Sequence, residues 1–155
     1  MTATEELLRR AIAIATSARG HGNHPFGALL TDAAGAIAFE AENTVVTEHD
    51  PTGHAETNLV RNAARALGGD LSGYTLYTST EPCAMCSGAI YWSGISRVVF
   101  ALSEAQLYAR TGAHPENPTL QLPSREVFAH GQREIRVEGP FIEDEAAAPH
   151  KGFWG

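Results

Sequence analysis

Between residues 2 and 19 the apolar positions Leu7, Leu8, Ala11, Ile12, Ala15 and Ala18 recur at helical spacing. Thr2 followed by Glu5 has the form of a capping box and Gly20 that of a stop, so the pattern predicts a first amphipathic helix. Residues 26–31 read as a buried strand, Asp32-Ala33-Ala34-Gly35 as a hairpin turn and 37–42 as the returning strand. Asn43 ends that strand at a loop, which Asp50-Pro51-Thr52-Gly53 breaks just before His54. From 54 to 67 the period is again helical, with Ala55, Leu59, Ala63 and Ala66 on one face and Gly68-Gly69 as the stop. Residues 74–78 form a strand. Pro82 opens the next helix, which runs through Ala89, Ile90 and Trp92 to Gly94. Residues 97–102 are another strand, and Ser103 with Gln106 caps a short helix to Arg110.

The remainder is less regular. Residues 111–123 form a long loop with three prolines, the kind of segment that often carries function. Residues 124–130 read as a short helix and 135–137 as a last strand. Glu143-Asp144-Glu145 reads as a solvated acidic face. Phe153 and Trp154 lie where a terminus would ordinarily fray, so residues 149–155 are expected to dock as a tail that covers the site. A starting hairpin followed by strand–helix alternation predicts an α/β protein. The expected architecture is a three-layer α/β/α sandwich around a five-stranded mixed sheet, one domain over 1–155. Two helix N-termini then meet near one end of the sheet.

Composition narrows the classes. The formal net charge of −7 disfavours a nucleic-acid backbone as the main partner, which needs a dense basic face. Both cysteines sit in Cys83-Ala84-Met85-Cys86, leaving none for a disulfide framework, and a reducing cytoplasm fits. Arg9 and Arg10 interrupt the apolar core that a signal peptide would need, and no apolar run is long enough to span a membrane.

The chemistry concentrates in His54-Ala55-Glu56 and Pro82-Cys83-Ala84-Met85-Cys86. His54, Cys83 and Cys86 are ligand types that zinc prefers, and three protein ligands leave a fourth position for water. Cys83 and Cys86 are three apart on one side of a helix N-terminus, whose partial positive charge favours thiolates. Glu56 is a carboxylate within reach of that water. Residues two apart do not share a face in mid-helix, but in a first turn opening into a pocket both can point inward. His21 and His24, in a loop by composition, are expected to be solvated rather than ligands.

This His-x-Glu and Pro-Cys-x-x-Cys pairing is a signature of zinc nucleobase deaminases. Together with Pro25-Phe26-Gly27-Ala28, Asn43, residues 76–86, Gly88-Ala89-Ile90-Tyr91-Trp92 and Arg97-Val98-Val99-Phe100, it makes the chain resemble the cytidine deaminase superfamily over roughly residues 5–105. It is most similar to the branch of bacterial guanine deaminases and tRNA adenosine deaminases. The resemblance implies a cytidine deaminase-like fold, a homodimer and one zinc per chain. It implies hydrolytic deamination of a small nucleobase: guanine or a related purine, triazine or pyrimidine. Nucleosides and tRNA adenosine are the alternative substrates. It further implies Asn43 and the Ala55 backbone N–H as base-binding groups, Phe26 beside the ring and Glu116 as a second proton carrier. Phe153 and Trp154 would form an aromatic segment that closes the pocket, swapped between subunits in some relatives. Beyond residue 105 the text departs from the guanine deaminases, and His114-Pro115-Glu116-Asn117-Pro118 is its own.

Two readings from other classes compete. Cys-x-x-Cys is also a redox motif, but a thiol–disulfide enzyme leaves His54 and Glu56 unexplained. A binding module with structural zinc requires a fourth ligand, for which His21 or His24 are the candidates.

Overall fold

The computed structural model describes residues 2–112 and 114–155. Five strands form one sheet in the order β2-β1-β3-β4-β5. They are β1 (Gly27–Thr31), β2 (Ile37–Glu42), β3 (Thr75–Thr80), β4 (Arg97–Leu102) and β5 (Arg136–Glu138). β1 runs antiparallel to both β2 and β3, whereas β3, β4 and β5 are parallel, so the sheet is mixed. The hairpin turn is held by Asp32 Oδ1, which accepts from the amides of Ala34 and Ala36 at 2.9 and 3.0 Å.

The strand alternation sorts side chains to two faces. Ala28, Leu30, Leu76 and Val98 pack with Leu59 and Ala63 of α2 (Ala55–Leu67), Ile90 of α3 (Ala84–Ser93) and Phe128 of α5 (Ser124–Ala129). Leu29, Tyr77, Val99 and Ala101 pack instead with Leu8, Ala11 and Ile14 of α1 (Ala3–Gly20), Leu107 of α4 (Glu104–Thr111) and Ala146 of α6 (Glu143–Ala147). These are the expected three layers. Gly27 is required where α1 meets β1: a Cβ there would lie 2.5 Å from the Ala11 carbonyl oxygen. No helix among the described residues is long and apolar enough to cross a membrane.

The expected elements form with small shifts in their bounds, and Thr2 and Ser103 accept from Glu5 N and Gln106 N as N-caps. The acidic run departs only at Glu143, since Asp144 and Glu145 are exposed as expected. It opens helix α6, whose Ala146 and Ala147 are buried, and Glu143 Oε2 accepts from both the amide and hydroxyl of Ser103. A five-residue helix has too few positions to display a period, so its charges alone were visible.

Candidate active site

His54 and Cys83 are the N-cap residues of α2 and α3, both in extended conformation. The approach to His54 is built by Asp50, whose Oδ1 accepts from the amide and hydroxyl of Thr52. It is tied down by Asn58, whose Nδ2 donates to the Glu42 carbonyl, Thr44 Oγ1 and the Gly53 carbonyl at 3.0, 2.9 and 3.3 Å. A Cβ on Gly53 would sit 2.8 Å from Thr44 Oγ1, so glycine lets the loop close beneath the histidine.

His54 Nδ1 lies 3.5 Å from Cys83 Sγ and 3.6 Å from Cys86 Sγ. A tetrahedral zinc with ordinary Zn–N and Zn–S bond lengths places such ligand atoms about 3.6 Å apart, so the donor set fits the ion in both chemistry and spacing. Among the described residues this is the one group of His, Cys, Asp and Glu side chains close enough together to hold a metal. Neither His21 nor His24 joins it. Thr57 Oγ1 is 3.2 Å from Cys86 Sγ and supports that side chain from α2. The neighbouring Cys86 thiol, then the His54 ring, hold the Cys83 thiol down to about 4, while Cys86 is raised by the same neighbour and by burial.

The cluster opens into a cavity of about 400 Å³, with Glu56, Asn43 and Phe26 on its wall beside His54 and Cys83. Burial, then the charge of Cys83, pushes the Glu56 carboxyl up to about 7. Asn43 uses Oδ1 to cap a turn, accepting from Val45 N at 3.0 Å, while its Nδ2 makes no hydrogen bond among the described residues. Ala55 is fully buried at the first turn of α2. Glu116 reaches the cavity from the loop after α4 with its side chain 63% exposed. Trp154 does not line the cavity. It packs behind it, with ring centroids 5.2 Å from His24 and 6.2 Å from Phe26, both of which do. The tail docks on its own chain, where Arg19 donates to the carbonyls of Pro149 and Lys151.

Three wall residues escape sequence reasoning. Glu104 stands at the carboxyl end of β4, where parallel strands deliver ligand contacts. Burial, then the negative charges of Cys83, Glu81 and Glu56, raises it to about 8. Asn117 lines the wall from the 114–120 loop. His24 is a correction: the expected solvated residue is only 7% exposed, enclosed by Phe26 and the C-terminal aromatics, whereas His21 stays exposed against Glu42. Glu56, Glu81, Glu104 and Glu116 all line the cavity, with no lysine or arginine among its lining residues.

Comparison with known proteins matches this geometry. The model of the cytidine and deoxycytidylate deaminase zinc-binding region matches residues 1–102. A probable cytosine deaminase of Schizosaccharomyces pombe is 48% identical over 147 residues, 95% of this chain and 90% of that one. The guanine deaminase of Bacillus subtilis is 44% identical over 99 residues, 63% of each chain. Its crystal structure superposes with a TM-score of 0.65 at 42% identity, over 70% of this chain and 69% of that one. A structure from a study of tRNA:A34 deaminases superposes with a TM-score of 0.76 at 26% identity, over 94% of this chain and 99% of that one.

Proposed function

The chain belongs to the cytidine and deoxycytidylate deaminase family, and from that premise we propose that it is a zinc-dependent hydrolytic deaminase of a free nucleobase. The observation that carries the reading is a ligand triangle of zinc spacing opening into a cavity of carboxyl groups without a lysine or arginine on its wall. A substrate bearing phosphate, whether nucleotide or tRNA, finds no lysine or arginine there to pair with it, and the net charge of −7 is no help to its approach. A neutral base meets donors and acceptors suited to an amidine edge.

In this reading residues 1–155 act as one deaminase domain holding one zinc on His54, Cys83 and Cys86. Zinc bound there supplies the Lewis acidity that makes water a nucleophile near neutral pH. Glu56 takes a proton from the water and delivers it to the ring nitrogen of the amidine. Water's oxygen bonds to the carbon, the C–N bond to the exocyclic amine breaks, and a further proton lets the amine leave as ammonia. Glu116 carries that second proton. Asn43 Nδ2 and the Ala55 amide hold the polar edge of the base, and Phe26 stands beside the ring. The thiol–disulfide reading gains nothing from Glu56 on the same wall, and neither His21 nor His24 supplies the fourth ligand that structural zinc would need.

Cytosine is the first candidate and guanine the second. A match over 147 residues of 155 leaves too few outside it to omit the loop bearing Glu116, and that match is with the probable cytosine deaminase. The guanine deaminase similarity spans less of the chain. The reading takes the protein as a cytoplasmic homodimer, the dimer supported by Trp92 at the end of α3, which is 83% exposed. Ammonia release from cytosine, guanine, adenine, their nucleosides and deoxycytidylate, beside inosine formation in tRNA, tests the proposal. Turnover of free bases supports it; turnover of tRNA or deoxycytidylate alone overturns it.

A further inference from the structure

Glu116 is asked to move a proton, yet among the described residues of its own loop none holds its carboxylate. The side chain is 63% exposed, and the local hydrogen bond, from Glu116 N to His114 Nδ1 at 3.1 Å, fixes the backbone and not the carboxyl group. An exposed glutamate samples many rotamers, while proton transfer requires donor and acceptor at hydrogen-bonding distance. The group facing the carboxylate is His24, with Nε2 3.6 Å from Glu116 Oε1. That nitrogen is buried and has no hydrogen-bond partner among the described residues. A small rotation of the exposed glutamate would close the gap and satisfy it.

His24, unlike Glu116, has little room to move. Its ring is bracketed by Phe153, edge-on at 5.9 Å, and by Trp154 at 5.2 Å. Trp154 is itself anchored, because its indole Nε1 donates to His150 Nδ1 at 3.0 Å in a buried contact. Arg19 holds the chain on either side of His150 through the carbonyls of Pro149 and Lys151 at 2.8 and 2.6 Å. Burial lowers the His24 pKa, so the ring favours the neutral form, which has one N–H to give. We infer that His24 is the positioning residue for Glu116, and that the C-terminal aromatic pair acts on the site by bracing the His24 ring rather than by touching the base. This rests on Glu116 being the second proton carrier.

Four variants test it: Glu116→Gln, His24→Phe, His24→Gln and the double variant His24→Phe/Glu116→Gln. Each is assayed for ammonia release from the most active base of the panel, with zinc content and Tm measured alongside. Positioning predicts that His24→Phe lowers kcat by about ten-fold to a hundred-fold with a much smaller change in KM. Zinc stays stoichiometric. His24→Gln, whose amide N–H can reach the place of Nε2, recovers most of the rate. The double variant is no slower than Glu116→Gln alone, because the two residues serve one step. If Glu116→Gln is impaired but His24→Phe keeps the parent kcat, or the two losses add, the positioning role is wrong while Glu116 stands. If Glu116→Gln keeps the parent kcat, the assignment of Glu116 fails first. Should His24→Phe not fold, His24→Asn replaces it. Its amide falls short of the Nε2 position, so equal kcat for Asn and Gln overturns the inference.

Discussion

Glu81 and Ser124, 43 residues apart in sequence, are joined by a double hydrogen bond: the amide and hydroxyl of Ser124 both donate to Glu81 Oε2, at 3.0 and 2.8 Å. The other oxygen accepts from the amide of Glu104 at 3.0 Å. One buried carboxylate thereby ties the first residues of α4 and α5 to the turn that carries Cys83.

Replacing Glu81 by alanine therefore leaves three donors without their acceptor. The expected loss is about 3 kcal/mol, taking roughly 1 kcal/mol for each orphaned group. That corresponds to roughly 10 °C in Tm for a chain of this length. Glu81→Gln, which keeps an acceptor oxygen, should lose less. Calorimetry on both variants checks the order; an unchanged Tm in Glu81→Ala would mean that water replaces the carboxylate freely.

Cys83→Ala should lose stoichiometric zinc, because two remaining protein ligands do not hold a catalytic ion. Elemental analysis of the purified variant decides it. Full retention of zinc would remove Cys83 from the ligand set.

Glu56→Gln should keep both zinc and fold while kcat falls by about a hundred-fold to ten-thousand-fold, the range for loss of a general acid–base group. Turnover within ten-fold of the parent would take Glu56 out of the mechanism.

The cluster of His54, Cys83 and Cys86 and the placement of Glu56 were legible because each motif is local: spacing puts His54 beside Glu56 and Cys83 beside Cys86, and helix N-termini bring the pairs together. The order of strands and helices was likewise legible, because turn and cap residues punctuate it, but which strand residue meets which helix layer was not, since β1, β3 and β4 are buried nearly throughout and show no alternation. His24 was not legible. Its burial comes from Phe153 and Trp154, more than a hundred residues further on, and no local pattern marks a loop histidine that a tail will enclose. Glu104 is half legible. The cap at Ser103 places it at the start of a helix, but the wall it faces is completed by the 114–120 loop, whose path no periodicity sets.

His150 gives stability a pH dependence. Burial holds its pKa down to about 4, against an ordinary 6.5. Between these values the unfolded chain binds a proton that the folded chain does not, so stability is full above about 6.5 and declines as pH falls towards 4. The contribution at stake is about 3 kcal/mol at most. His150→Gln keeps an acceptor for the Trp154 indole but removes the titration. Its Tm should fall less steeply than the parent's between pH 6.5 and 4, and parallel curves would show that His150 does not carry the effect.

Removing residues 150–155 should impair both stability and turnover, for separate reasons. Trp154 is 7% exposed, and its loss uncovers Phe26 and His24, so the truncated protein should melt earlier by about 3 kcal/mol, the order for deleting a buried tryptophan. Turnover depends on what the tail does for the cavity. Trp154 lies behind the wall, so the base can still enter and KM should change little. Without the aromatic bracket the His24 ring gains freedom, and kcat should fall by about ten-fold, equivalent to about 1.4 kcal/mol of transition-state stabilisation. The assay must be run at a temperature where circular dichroism shows the truncated protein folded, so that the two effects separate. A tail acting directly on the base as a lid would instead raise KM. A truncated protein that melts early yet turns over at the parent rate while folded would confine the tail to stability and remove it from the chemistry.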